Sequence, residues 1–199
     1  MMTTQMKPSL SENIVERIGN KLTGKKIYVL MGASGAGKTT VGGYLKEVGL
    51  PEIVSHTTRS IREGEVNGKS YYFVTKEEFE QIEKIEQVKY QDNHYCISKM
   101  EIEDKFTKYD KLFVVCDING MEQVKENYPN EVVVIYIYTT LEEMEKRMRD
   151  RGDSEDNIEK RLTYARQTNE LENGRFADYR IENRDIASTR QKVMEIIES

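Results

Sequence analysis

An α/β fold, with a parallel sheet covered by helices on both faces, is predicted by three features of the sequence. Three apolar runs, at 27–31, 112–117 and 132–138, are continuous rather than alternating, as strands buried on both faces are. Stretches with apolar residues at helical spacing separate these runs. Between the first run and the first helical stretch, residues 32–39 read Gly-Ala-Ser-Gly-Ala-Gly-Lys-Thr and fit G-x-x-x-x-G-K-[ST] at every fixed position. A sheet of this kind gathers its ligands at the carboxyl ends of the strands.

With 199 residues the chain forms one domain able to bury roughly 70% of its unfolded surface. A net charge of −5, with 33% charged residues, gives neither a nucleic-acid footprint nor an attraction to anionic membranes. Any anionic ligand is therefore captured locally. No apolar run approaches the roughly 20 residues that span a bilayer, and residues 1–10 lack a hydrophobic signal segment, so a cytoplasmic location is predicted. Cys96 and Cys116 are too few and too far apart for a disulfide framework or a zinc site, in keeping with a reducing compartment.

In chain order, residues 1–24 form an extension in which Leu10, Ile14 and Ile18 have helical spacing, equally suited to a short helix or a frayed tail. After the glycine-rich stretch, Val41, Leu45 and Val48 mark the buried face of a helix that Gly49 and Pro51 stop. A short strand is predicted over 52–55. Residues 55–73 carry two arginines three apart, Gly-Glu and Asn-Gly turns and a tyrosine, which suits a small sheet folded over an anion. Thr75 to Glu78 read as a capping box opening a helix through Phe79, Ile82 and Ile85. Residues 86–98 form a polar strand and turn, with His94 a surface or packing residue. Thr140 to Glu143 are a second capping box, and Leu141, Met144 and Met148 point inward from its helix. A further helix begins at Ser154, with Ile158, Leu162 and Ala165 on one face. An edge strand over 178–183 and a last helix bearing Ile186, Val193, Ile196 and Ile197 complete the chain.

The glycine-rich stretch is a phosphate cradle. Gly32, Gly35 and Gly37 let backbone N–H groups of the loop, including those of Ala33, Ser34, Ala36 and Thr40, converge on phosphate oxygens at a helix N-terminus. Lys38 brings a charge to the β- and γ-phosphates, and the Thr39 hydroxyl is a ligand for Mg²⁺. A plain glycine-rich turn with a surface lysine leaves the flanking strand and helix unexplained. The arginines around 147–166 are either a solvated face or, opposite a phosphate loop, a lid that stabilises a transferring phosphoryl group.

Taken together these stretches resemble the guanylate kinases, over residues 25–199 and in the right order. The phosphate loop is common to many families. The pattern Ser-x-Thr-Thr-Arg-x-x-Arg-x-Gly-Glu-x-x-Gly-x-x-Tyr-x-Phe over 55–73 is far more specific. The resemblance implies a P-loop NTPase-type core (25–53, 99–147 and 162–199), an inserted subdomain for a nucleoside monophosphate at 54–98 and a helical lid at 148–161. It implies that the loop residues 32–40 hold Mg·ATP, with Asn183 near the adenine end. It further implies that Arg59, Arg62, Tyr71 and Tyr95 hold the phosphate of GMP, that Ser55 and Asp117 touch the base, and that Arg147, Arg151 and Arg161 act with Lys38 in catalysis. The reaction is ATP-dependent phosphorylation of a nucleoside monophosphate, GMP favoured. Oligomeric state is not legible.

The departures lie at the base. The family's guanine-reading glutamate falls on Lys89 by this alignment, and its acidic residue two before Asp117 is Val115. A lysine cannot accept the guanine N1–H and N2–H₂ donors, so weakened guanine selectivity, or another (deoxy)nucleotide substrate, is expected unless Glu86 or Asp92 takes the vacant place. A non-catalytic protein-binding relative of the fold is the other reading, and it has no need of the intact phosphate loop.

Overall fold

The computed structural model describes residues 22–90, 92–167 and 170–199. In chain order its elements are β1 (Lys26–Met31), α1 (Lys38–Glu47), β2 (His56–Thr57), β3 (Tyr72–Phe73), α2 (Lys76–Gln81), β4 (Lys84–Tyr90), β5 (Asn93–Ser98), α3 (Lys99–Phe106), β6 (Lys111–Val115) and α4 (Ile118–Asn127). There follow β7 (Val132–Tyr138), α5 (Leu141–Asp150), α6 (Glu155–Gln167), a 3₁₀ segment Glu170–Phe176, β8 (Tyr179–Glu182) and α7 (Ile186–Glu198). The amphipathic stretch holding Leu10, Ile14 and Ile18 lies outside the described residues.

The three apolar runs become β1, β6 and β7 of a fully parallel sheet in the order β6-β1-β7-β8, with β8 at the edge. Alternate side chains of β1 serve opposite faces. Ile27, Val29 and Met31 join Ile97, Ile102, Val114 and Val134 on one side. Tyr28 and Leu30 join Val41, Leu45, Phe113, Ile137 and Val193 on the other, under α1 and α7. Both faces are thus apolar, which is why the run carries no alternation. Each such side chain contributes about 1.5–3 kcal/mol on burial.

A second sheet, in the order β3-β2-β5-β4, is drawn from residues 56–98. It mixes one parallel pair, β2 with β3, and two antiparallel pairs. A third cluster joins α5 and α6 through Met144, Met148, Ile158, Leu162 and Ala165, and it includes Ala33 of the glycine-rich loop.

Three expectations need correction. The strand predicted over 52–55 is absent: Glu52 makes only an isolated bridge to Phe113, and the chain then leaves the main sheet for β2. The helix opened by Thr75 has its reciprocal capping box but ends at Gln81, because Ile82 is extended and Ile85 belongs to the β4–β5 hairpin. Val48 is not on the buried face; it closes α1 at 48% exposure, and Leu50 packs on the core after the turn at Gly49. His94 is a packing residue, its ring 5.5 Å from Phe79.

Candidate active site

The loop between β1 and α1 can close tightly only because of its glycines. A Cβ on Gly32 would lie 2.0 Å from the backbone oxygen of Ile137 on β7, and Gly32 has φ 147°. Gly37 has φ 105°, and a Cβ there would lie 2.3 Å from the Asn183 side-chain nitrogen. The loop is therefore pressed against the carboxyl ends of β7 and β8, with α1 starting directly beyond it.

Asn183 holds this arrangement. Its side-chain N–H₂ donates to the carbonyl of Ala36 at 2.7 Å, and its oxygen accepts from the Thr189 hydroxyl at 3.0 Å. At 2% exposure it has both polar ends engaged inside the protein. It also lines the cavity beside the loop, so the side chain that ties the loop stands at the cavity wall. Lys38 Nζ folds back to the carbonyls of Gly32 (2.6 Å) and Ala33 (3.0 Å), so its charge lies over the cradle.

The arginines of α5 and α6 face the same space. Arg147 donates to Glu143 at 2.8 Å and to the carbonyl of Asn183 at 2.9 Å. Arg161 donates to the Ser34 hydroxyl at 2.8 Å and lies 3.8 Å from Asp153, which also pairs with Arg151. Asp153 sits below the usual carboxylate range because of its hydrogen bond from Arg151. A cavity of 540 Å³ is lined by Ser34, Gly35 and the stretch 37–40 of the loop together with Arg147, Arg151, Arg161, Asn183 and Arg184. Cationic groups gather here although the whole chain carries −5. The cavity suits a polyanion.

Thr39 also borders a second cavity, of 240 Å³, which Ser55 and Tyr71 line. Arg59 stands by Tyr71, its guanidinium 5.4 Å from the Tyr71 ring and 5.6 Å from Phe73. Tyr71 and Tyr95 meet edge to face at 5.8 Å. Arg59 is gripped in a fork by Glu65, at 2.6 and 3.0 Å, and the Arg62 N–H donates to the same carboxylate at 2.8 Å. That hydrogen bond from Arg59 holds the Glu65 carboxyl below its ordinary value. The Arg62 side chain is exposed. Glu65 went unassigned in the sequence, although a carboxylate three residues after an arginine pair is a signal for such a clamp.

At the far side, Asp117 caps α4 by accepting from Gly120 N at 2.9 Å. Glu86 on β4 is 7% exposed and lies against Gly120. Burial, and then the charge of Asp117, push its carboxyl up to about 7. Lys89 is exposed farther along the strand.

The guanylate kinase family model matches residues 24–199. The chain belongs to the guanylate kinase family. A guanylate kinase of Oceanobacillus iheyensis is 36% identical over 180 residues, covering 87% of this chain and 86% of the relative. One from Fusobacterium nucleatum is 35% identical over 179 residues, covering 87% and 96%. The crystal structure of the guanylate kinase from Anaplasma phagocytophilum superposes with a TM-score of 0.68 at 32% identity, covering 87% of this chain and 85% of that one.

Glu86 is the one glutamate of β4, and it is buried. Lys89, the position expected to face the base, is exposed, whereas Glu86 is buried beside the residue that caps α4. Weakened guanine selectivity, argued from Lys89, thereby loses its ground. Asp92 is exposed. Among the described residues no helix is long and apolar enough to cross a membrane.

Proposed function

We propose that the chain transfers the γ-phosphoryl group of Mg·ATP to GMP, with the 540 Å³ cavity as donor site and the 240 Å³ cavity as acceptor site. The observation that carries the reading is their junction at Thr39: a phosphate cradle ringed by lid arginines opens beside the Arg59–Tyr71 cluster. An oxygen of the GMP phosphate attacks the γ-phosphorus, the bond from that phosphorus to the β,γ-bridging oxygen breaks, and ADP leaves with the electron pair. The acceptor oxygen is already largely ionised at neutral pH, so no general base is required.

Catalysis is then alignment and charge stabilisation. Lys38 leaves the Gly32 and Ala33 carbonyls for the phosphates, Arg161 exchanges Ser34 for phosphate, and Arg147, at the core end of α5, and Arg151, in the lid at 148–161, add charge. The unit 54–98 holds the acceptor: Arg59, Arg62, Tyr71 and Tyr95 grip its phosphate, with Glu65 positioning Arg59. Glu86, Asp117 and Ser55 take the guanine edge, the ionised Glu86 accepting from N1–H and N2–H₂.

Among the described residues no group of three His, Cys, Asp or Glu side chains is set to hold a metal by itself. The cradle, which a Cβ at Gly32 or Gly37 would spoil, fits a phosphate chain, and the exposed Thr39 hydroxyl fits one position of an ion carried on it. Bound there, Mg²⁺ supplies neutralisation of phosphate charge.

The direct test is kcat/KM for GMP, AMP, UMP, dTMP and CMP under one set of conditions. GMP is expected to lead every other base by at least about a hundredfold; preference for another base overturns the reading. On the acceptor side, Arg59→Lys is expected to lower kcat/KM for GMP by about tenfold or more with the KM for ATP unchanged, because an ammonium cannot replace a planar fork on two phosphate oxygens. A change confined to ATP would move Arg59 to the donor site.

A further inference from the structure

Glu101, in the first turn of α3, is a carboxylate that the mechanism above does not use. It is 6% exposed and collects three donors. Its Oε1 accepts from the backbone N–H of Val54 at 2.9 Å and from Lys105 Nζ, and its Oε2 accepts from the Tyr72 hydroxyl at 3.0 Å. Lys105 also donates to the carbonyl of Glu52. Burying a carboxylate is unfavourable unless its oxygens are satisfied, and here every partner belongs to a segment that matters for the acceptor unit.

The second sheet, drawn from residues 56–98, joins the core by two connections. One runs through Glu52 to Ser55; the other is the passage from β5 into α3. Glu101 stands on the second connection and binds Val54 and, through Lys105, Glu52 on the first. α3 itself is fixed to the core by Ile102 and Phe106. The Tyr72 ring stacks on His56 of β2 at 4.7 Å, and its neighbour Tyr71 lines the acceptor cavity. Burial and the bond to Glu101 push the Tyr72 hydroxyl up to about 12, so it stays a donor across the working range.

We propose that the Glu101 carboxylate is a positioning residue: by holding Val54 and Tyr72 together at the root of the acceptor sheet, it sets the angle of that sheet on the core and hence the place of Tyr71 against the GMP phosphate. The inference rests on the acceptor-site reading given above. It assigns to α3 a part in acceptor binding although no side chain of that helix lines the cavity.

Steady-state kinetics of the full chain, with GMP and ATP varied separately, test it. Tyr72→Phe keeps the stacked ring and removes one bond; the KM for GMP is expected to rise about fivefold to tenfold with the KM for ATP unchanged. The pair Glu101→Leu with Lys105→Met leaves no stranded buried charge, but the Val54 N–H and the Tyr72 hydroxyl lose their acceptor, so the melting temperature is expected to fall by several degrees with the protein still folded at assay temperature. If Glu101 positions the sheet, this folded double variant shows the raised KM for GMP with the KM for ATP unchanged. Constants for GMP within twofold of wild type in both variants overturn the proposal and leave Glu101 a stability residue. Arg59→Lys separates the two levels: if it alone raises the KM for GMP, only the Glu101 coupling falls; if neither it nor Tyr72→Phe does, the acceptor-site reading falls with it.

Discussion

Lys38→Ala is expected to lower kcat on the order of a thousandfold while circular dichroism and the melting temperature stay near wild type. In the resting protein Lys38 donates to the carbonyls of Gly32 and Ala33, both on the loop itself, so its removal leaves the apolar core intact. During transfer, negative charge grows on the β,γ-bridging oxygen, and an ammonium aimed there is worth more in the transition state than in the ground state. The loss therefore falls on kcat more than on the KM for ATP. ADP release followed with GMP as acceptor reads both. Wild-type kcat in a folded Lys38→Ala variant would remove the donor-site assignment.

The second large effect belongs to Glu86. Glu86→Gln places an amide N–H₂ where guanine needs acceptors, and kcat/KM for GMP is expected to fall about a hundredfold. Stability moves the other way. The Glu86 carboxyl stands at about 7 in the folded protein against an ordinary value of 4.5. At pH 4 both states hold the proton and there is no penalty. Between 4.5 and 7 the unfolded chain ionises first, so folded stability declines as pH rises, by about 3 kcal/mol in full above pH 7. Glu86→Gln is expected to recover much of that at pH 8 and nothing at pH 4, measurable by urea unfolding at the two values. In wild type, kcat/KM for GMP is expected to rise through pH 7 as Glu86 ionises, and the variant is expected to lose that limb while keeping the one due to the GMP phosphate itself. Stability that is equal in the two proteins at pH 8 would refute the buried, strained carboxylate.

What could be read from sequence was contiguous. The phosphate loop and the run from Ser55 to Phe73 each compress a binding surface into one stretch, because backbone N–H groups and a short turn do the gathering. The buried strands were legible for a similar reason: an all-apolar run has few other places to go. Glu86 was named only as a substitute, since a bulge in β4 breaks the period by which the inward positions could be counted. Glu101 was invisible, for its partners Val54 and Tyr72 lie 47 and 29 residues away and nothing local distinguishes it from other helix-surface glutamates. Asn183 carried a family role near adenine, and only its contact across 147 residues revealed the hold on Ala36.

That contact also fixes an order of events during synthesis. The whole phosphate-loop motif leaves the ribosome early, with β1 before it and α1 behind it, and domains tend to fold from the N-terminus as they emerge. Yet the side chain that secures Ala36 is made 147 residues later. A chain interrupted before Asn183 carries a perfect sequence signature and an unfinished cradle. Possession of the motif and completion of the cradle are thus separated by most of the length of the protein.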